Sequence, residues 1–195
     1  MPTDETEINK RLLFLIRRAN RKLSNNGRGV NFPIQYDSPM PPTESNPSSQ
    51  PVPENKRPDF MWGITDHTEI DISNCDKYFC IEAKRLGLPS SPSWILNKNY
   101  IVNGILRFIS PDWSYGRMTR SGAMVGYIQS SEFEVIFAEV NTNAESQTIP
   151  TLELLDEDEG VTLKYLKHIL VRDICISPFS LKHYWIDLRH IYESN

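Results

Sequence analysis

Asp59, Glu82 and Lys84 are the residues whose types and spacing best suit chemistry. Side chains alternate along a strand, so Glu82 and Lys84, two positions apart in the run Lys77–Lys84, project from one face. Both can then reach a common water beside a divalent cation. Asp59, directly after Pro58, opens a second strand-like run to Ile64 and can lie across from them. Two carboxylates converging in this way supply the hard oxygen ligands that suit Mg²⁺, which keeps several waters and adds phosphate oxygens to its shell. A lysine beside them can orient or deprotonate a water and neutralise charge as a phosphodiester passes through its pentavalent transition state. The same residues also allow a plain surface salt bridge of Lys84 with Glu82 or Asp59. A Glu-x-Lys triplet says little by itself, since a chain of this length contains roughly one by chance. This chain has a second, Glu54-Asn55-Lys56, but it lies in a proline-rich segment with no strand to fix its side chains.

Positioning such a site needs a sheet, and the pattern supplies one. Residues 4–23 place Leu12, Leu13, Leu15, Ile16, Ala19 and Leu23 at three- and four-residue spacing, which predicts an amphipathic helix. Asp4 and Glu7 form a capping-box pattern at its start. Its other face is basic, and residues 1–28 carry seven cations against three acids. That face can meet phosphates or simply water. Residues 25–57 hold Asn25-Asn26-Gly27 and seven prolines among Ser, Thr and Asn, so they read as a long loop. A polar, acidic segment from Thr65 to Asp76 joins the two strand-like runs, which are expected to pair antiparallel. Beyond them the pattern predicts a helix from Ser93 to about Ser110, ended by Pro111, and a buried, glycine-bearing strand over Ser121–Ile128. A helix from Phe133 to about Asn143 follows, then strands near Ile169–Ile176 and His183–Ile191. This order predicts a single mixed α/β domain over residues 1–195.

Composition narrows the function classes. With 39% hydrophobic residues, 24% charged residues and a net charge of −4, the chain is an ordinary globular sequence and not a purely electrostatic nucleic-acid binder. No apolar stretch approaches the roughly eighteen residues of a membrane helix, and no signal-peptide pattern opens the chain, so a cytoplasmic protein is expected. Cys75, Cys80 and Cys175 have neither the count nor the spacing of a zinc site or a disulfide framework. His67, His168, His183 and His190 lack partners at ligand spacing and are expected to be structural or solvated. The acidic run from Glu153 to Glu159 reads as a solvated loop. No nucleophile elbow, Cys-His arrangement or glycine-rich phosphate loop occurs.

The pattern Pro58-Asp59, twenty-two residues, then Glu82-Ala83-Lys84 resembles the PD-(D/E)xK nucleases, the restriction-endonuclease-like superfamily. The run Tyr78–Leu86, then Tyr100, Gly104, Ile105, Arg107 and Phe108, and Gly122–Ile128 look like small members from prokaryotes and their phages. The likeness spans roughly residues 57–129, with weaker hints in the first helix and over Ser180–His190. It implies a restriction-endonuclease-like mixed sheet flanked by helices. The implied activity is Mg²⁺-dependent hydrolysis of nucleic-acid phosphodiesters, DNA being the expected substrate, with Mn²⁺ able to substitute. Asp59 and Glu82 would be the metal ligands and Lys84 would activate or position the water. The superfamily often adds an acidic residue from its first helix, for which Glu7 is the best match and Glu5 the alternative. Arg85, beside the active strand, and Arg107, sharing a helix face with Tyr100, are candidate phosphate contacts or partners of local acids. Trp62 and Tyr127 can stack on bases but fit core positions better. A role in defence against phage or mobile elements would fit, with a homodimer or an activating protein as partner. The competing expectation is a non-catalytic binding or assembly subunit on the same fold.

Overall fold

The computed structural model describes residues 4–40, 56–155, 162–173 and 176–189. Its centre is a seven-stranded mixed sheet of order β1-β2-β3-β4-β7-β6-β5. The helix α1, Glu5–Ser24, opens the chain and is followed by the two-residue strand β1, Gln35–Tyr36. β2, Phe60–Thr65, pairs antiparallel with β3, Asp76–Leu86, as the sequence predicts. β4, Ser121–Ile128, lies parallel to β3, and β7, Phe179–Asp187, parallel to β4. β6, Leu163–Leu170, returns antiparallel to β7, and β5, Glu153–Leu154, closes that edge. Both edge strands are only two residues long, which limits the unpaired backbone a sheet edge offers.

Strand alternation divides the core into two layers. One face of the sheet carries Met61, Cys80, Met124, Leu166, Leu181 and Trp185 and packs with α2, Leu96–Val102, and α3, Phe133–Ser146. The other carries Phe60, Ile81, Ala83, Ala123, Val125 and Tyr127 and packs with Ile8 and Leu13 of α1. β4 is buried over nearly its whole length, because helices cover both of its faces. At Gly122 a Cβ would stand 2.8 Å from Phe108 and 3.1 Å from the Cys80 carbonyl, so no larger residue fits.

Three expectations need correction. The helix expected to run to Ser110 stops at Val102, and a separate 3-10 turn covers Ile105–Phe108. The break falls at Gly104, whose backbone lies so close to the Tyr100 carbonyl and Met124 that a Cβ would sit 2.4 and 2.6 Å from them. The strand expected near Ile169–Ile176 is instead Leu163–Leu170, and the last strand starts four residues before His183. The inward positions Leu166, His168 and Leu170 alternate with Tyr165, Lys167 and Ile169, and the buried histidine obscures that period-two signal. Cys175, His190, Asp156–Glu159 and most of the proline-rich loop lie outside the described residues. Among the described residues no helix is long and apolar enough to cross a membrane.

Candidate active site

Glu82 and Lys84 lie in the second half of β3, and Asp59 immediately precedes β2, where the register sets Phe60 opposite Ile81. Asp59 is fixed by two bonds: Asn9 Nδ2 donates to Oδ1 at 2.9 Å, and the Ala83 backbone N–H donates to Oδ2 at 2.7 Å. The Tyr127 hydroxyl in turn donates to Asn9 Oδ1 at 2.7 Å, so a buried chain from β4 through α1 orients the carboxylate.

Lys84 Nζ stands among three carboxylates. It lies 2.5 Å from Glu82 Oε1, 3.3 Å from Glu5 Oε1 and 3.9 Å from Asp59 Oδ2, and also donates to the Ala83 carbonyl at 2.7 Å. The second Glu5 oxygen accepts the Arg85 backbone N–H at 3.2 Å. Of the two acids considered on the first helix, Glu5 is therefore the one that reaches Lys84. Glu7 pairs with Lys10 at 2.5 Å on the exposed side of α1, half exposed. Two residues along a helix is about 200° of rotation, so Glu5 and Glu7 cannot face the same centre, whereas Glu5 and Asn9 share a face.

Glu82 is 1% exposed and is the most deeply buried acid of the group. Arg107, from the 3-10 turn, also reaches its Oε1 at 2.5 Å, so Arg107 sits inside the cluster and no longer shares a face with Tyr100, which bonds His183 instead. Trp113 backs the guanidinium at 4.0 Å and carries the Lys56 ammonium at the same distance. Burial and then Asp59 push the Glu82 carboxyl upward, against the pull of Lys84 and Arg107. Asp59 is also raised by burial, while Lys84 and the Ala83 bond pull it down. For Lys84, burial pulls down, but Glu82, Asp59 and Glu5 outweigh it and hold the ammonium above its ordinary value. Both cations meet on one Glu82 oxygen, so three carboxyl groups share two cations, Lys84 and Arg107.

Several buried polar atoms here lack hydrogen-bond partners among the described residues: Glu82 Oε2, Arg107 Nε and the Tyr115 hydroxyl. An unpartnered carboxylate oxygen on Glu82, next to an Asp59 with lone pairs to spare, is the donor set a hard dication takes. Among the described residues no group of three or more His, Cys, Asp or Glu side chains is placed to hold a metal ion.

Trp62 and Tyr127 belong mainly to the α1-side core, with Tyr127 1% exposed. His168 and His183 are buried, bonded to the Pro150 carbonyl and Tyr100 respectively, as expected of structural residues. Asn9 and Tyr115 were missed. The available signal for Asn9 was a polar residue on the apolar stripe of α1, four positions after Glu5. No family model, curated protein or solved structure matches this chain.

Proposed function

We propose that the protein is a metal-dependent nuclease of the restriction-endonuclease-like kind, hydrolysing phosphodiester bonds, with DNA as the first substrate to test. The observation that carries this is the convergence of Glu5, Asp59 and Glu82 on the Lys84 ammonium, supported by the orphaned Glu82 oxygen. A structural ion pair needs one acid per cation. Three acids gathered around two cations, Lys84 and Arg107, with Asp59 held by its own scaffold, leave an acid in excess where a dication would be welcome.

Asp59 and Glu82 would hold Mg²⁺ or Mn²⁺, which when bound supplies Lewis acidity toward a phosphate oxygen. Lys84, kept charged by its neighbours, orients the attacking water and stabilises the negative charge that grows on the phosphoryl oxygens. That raised value favours an electrostatic role over proton abstraction. Water attacks phosphorus and gives up a proton to solvent, the bond to the leaving oxygen breaks, and that oxygen takes a proton from solvent. Glu5 holds Lys84 toward the centre and the Arg85 backbone against α1. The sheet, with parallel β3, β4 and β7 and antiparallel flanking strands, supports the restriction-like description. A role in defence against phage or mobile elements is compatible with such an activity.

The test is incubation with circular duplex DNA, linear duplex DNA, single-stranded DNA and RNA, each with Mg²⁺, Mn²⁺ or EDTA. Cleavage of at least one substrate with metal, and of none in EDTA, is expected. No cleavage of any of them with either metal would overturn the proposal.

A further inference from the structure

The sheet face that carries α1 extends beyond it. Past the buried patch under Ile8 and Leu13, that face continues onto β6 and β7, where Tyr165 and Ile169 are 39% and 38% exposed and Lys182 is exposed. The register sets Ala123 beside Lys182 and Lys182 beside Lys167, while the row toward the strand starts runs Ser121, Ser180, Ile169. Ser121, Ser180 and Ala123 thus lie on this face between the lysines and the paired aromatics Trp62 and Phe79, whose ring centroids lie 6.5 Å apart. At the Trp62 end of this face lies a recess of about 360 Å³, lined by Trp62, Phe79, Met118 and Ile176 together with Lys77 and Arg120.

Charge on this face is mostly positive. Lys77 is committed to Asp66 at 2.5 Å, and Lys167 faces Glu153 across the β5–β6 pair. Arg120 and Lys182 have no ion pair among the described residues. The chain as a whole carries −4, so a cationic, aromatic face runs against the overall balance. Aromatic surfaces flanked by cations are how proteins hold unpaired nucleic acid, since every base has a face to stack and every phosphate a charge to neutralise. A duplex, whose base faces are already stacked on one another, has nothing to place against Trp62 and Phe79. The recess volume lies at the small-ligand end of the pocket range, which suits one base. Phe79 is three residues from Glu82 along β3, roughly 10 Å at strand rise and on the opposite face of the sheet, so a strand held in the recess must pass around the edge or end of the sheet to reach Glu82.

We propose that this face binds a single-stranded segment of nucleic acid, with one unpaired base in the Trp62–Phe79 recess and the adjoining phosphates on Arg120 and Lys182. The proposal names the substrate form for the nuclease described above and rests on that assignment. Its test is done in EDTA, where binding is read without cleavage, by fluorescence anisotropy of labelled oligothymidylate, oligouridylate and a duplex of the same length across a salt series.

The wild-type protein is expected to bind a single strand more tightly than the duplex. The doubly substituted Arg120→Glu, Lys182→Glu protein, shown folded by circular dichroism, should lose about tenfold or more in affinity, and its log affinity against log salt slope should flatten by about 1.4, roughly 0.7 for each lost phosphate contact. Trp62→Phe, which keeps an aromatic ring in the core, should remove the tryptophan quenching that accompanies binding. The thymidylate and uridylate arms tell DNA from RNA, and binding of either supports the proposal. Unchanged affinity and slope in the folded double variant would overturn it. So would duplex binding as tight as single-strand binding, or a preference for polyglutamate, which would assign the face to an acidic protein. Metal-dependent cleavage by a protein that binds no single strand in EDTA would remove this proposal and leave the nuclease intact. Single-strand binding without cleavage under any metal would do the reverse.

Discussion

Lys84 can neutralise only part of the charge around it, and that imbalance distinguishes residues that serve the site from residues that merely sit near it. Glu5 touches the ammonium and Glu7 does not. Glu5→Gln is therefore expected to lower cleavage about tenfold or more, while Glu7→Gln leaves it within about twofold, a comparison read directly from initial rates. Asn9→Ala leaves the Tyr127 hydroxyl without its acceptor and frees one side of Asp59. It should cost about 1–3 kcal/mol in urea unfolding and depress cleavage as well. The Glu82–Lys84 pair was legible because strand alternation fixes positions two apart on one face whatever surrounds the strand. The choice of Glu5 over Glu7 was not, since it depends on how α1 is rotated about its axis over the sheet. Arg107 does pair with a local acid, one of its two expected roles, but not from a helix face shared with Tyr100, because its direction depends on the helix ending at Val102 and restarting as a tighter turn.

The segment carrying Arg107, Trp113 and Arg120 contains little regular structure, and a single side chain organises it. Arg172 is 4% exposed and donates to the carbonyls of Phe108, Tyr115, Gly116, Thr119 and Ile176, with its guanidinium 3.8 Å from the Phe179 ring. Arg172→Met would leave those buried carbonyls without donors, and a loss of about 3 kcal/mol or more is expected in denaturant unfolding. Nothing in the sequence marks this arginine, because its partners are backbone carbonyls more than fifty residues away as well as local ones. The β6–β7 pair predicts a pH dependence. Burial holds His168 down at about 4 and His183 well below its ordinary value. The unfolded chain then binds more protons between about pH 4 and 6.5, so stability is full above 6.5 and is lost as pH falls through that window. His168 alone accounts for about 3 kcal/mol of this. The urea midpoint should drop between pH 7.5 and pH 5, and His168→Gln, which keeps a donor for the Pro150 carbonyl, should shrink that drop. The β4 strand was legible from its glycines, whereas β6 was displaced because two lysines and a histidine interrupt its apolar pattern.

At the scale of the whole molecule, the proposal gathers the reacting groups where α1, β2 and β3 meet, with cations on the α1 side of an otherwise acidic chain. A dication that binds the folded site and not the unfolded chain must raise stability, by about 2.7 kcal/mol at a hundredfold excess over its Kd. Asp59→Asn should abolish that metal-induced shift in Tm. The most direct measurement is the cleavage rate of wild type against Lys84→Ala at saturating Mn²⁺, on whichever substrate the wild type cuts, with the variant shown to be folded and metal-bound. The account predicts a loss of about a hundredfold to ten-thousandfold, the range expected when a group that acts in the transition state is removed. A Lys84→Ala rate within threefold of wild type, about 0.7 kcal/mol in barrier, would contradict it.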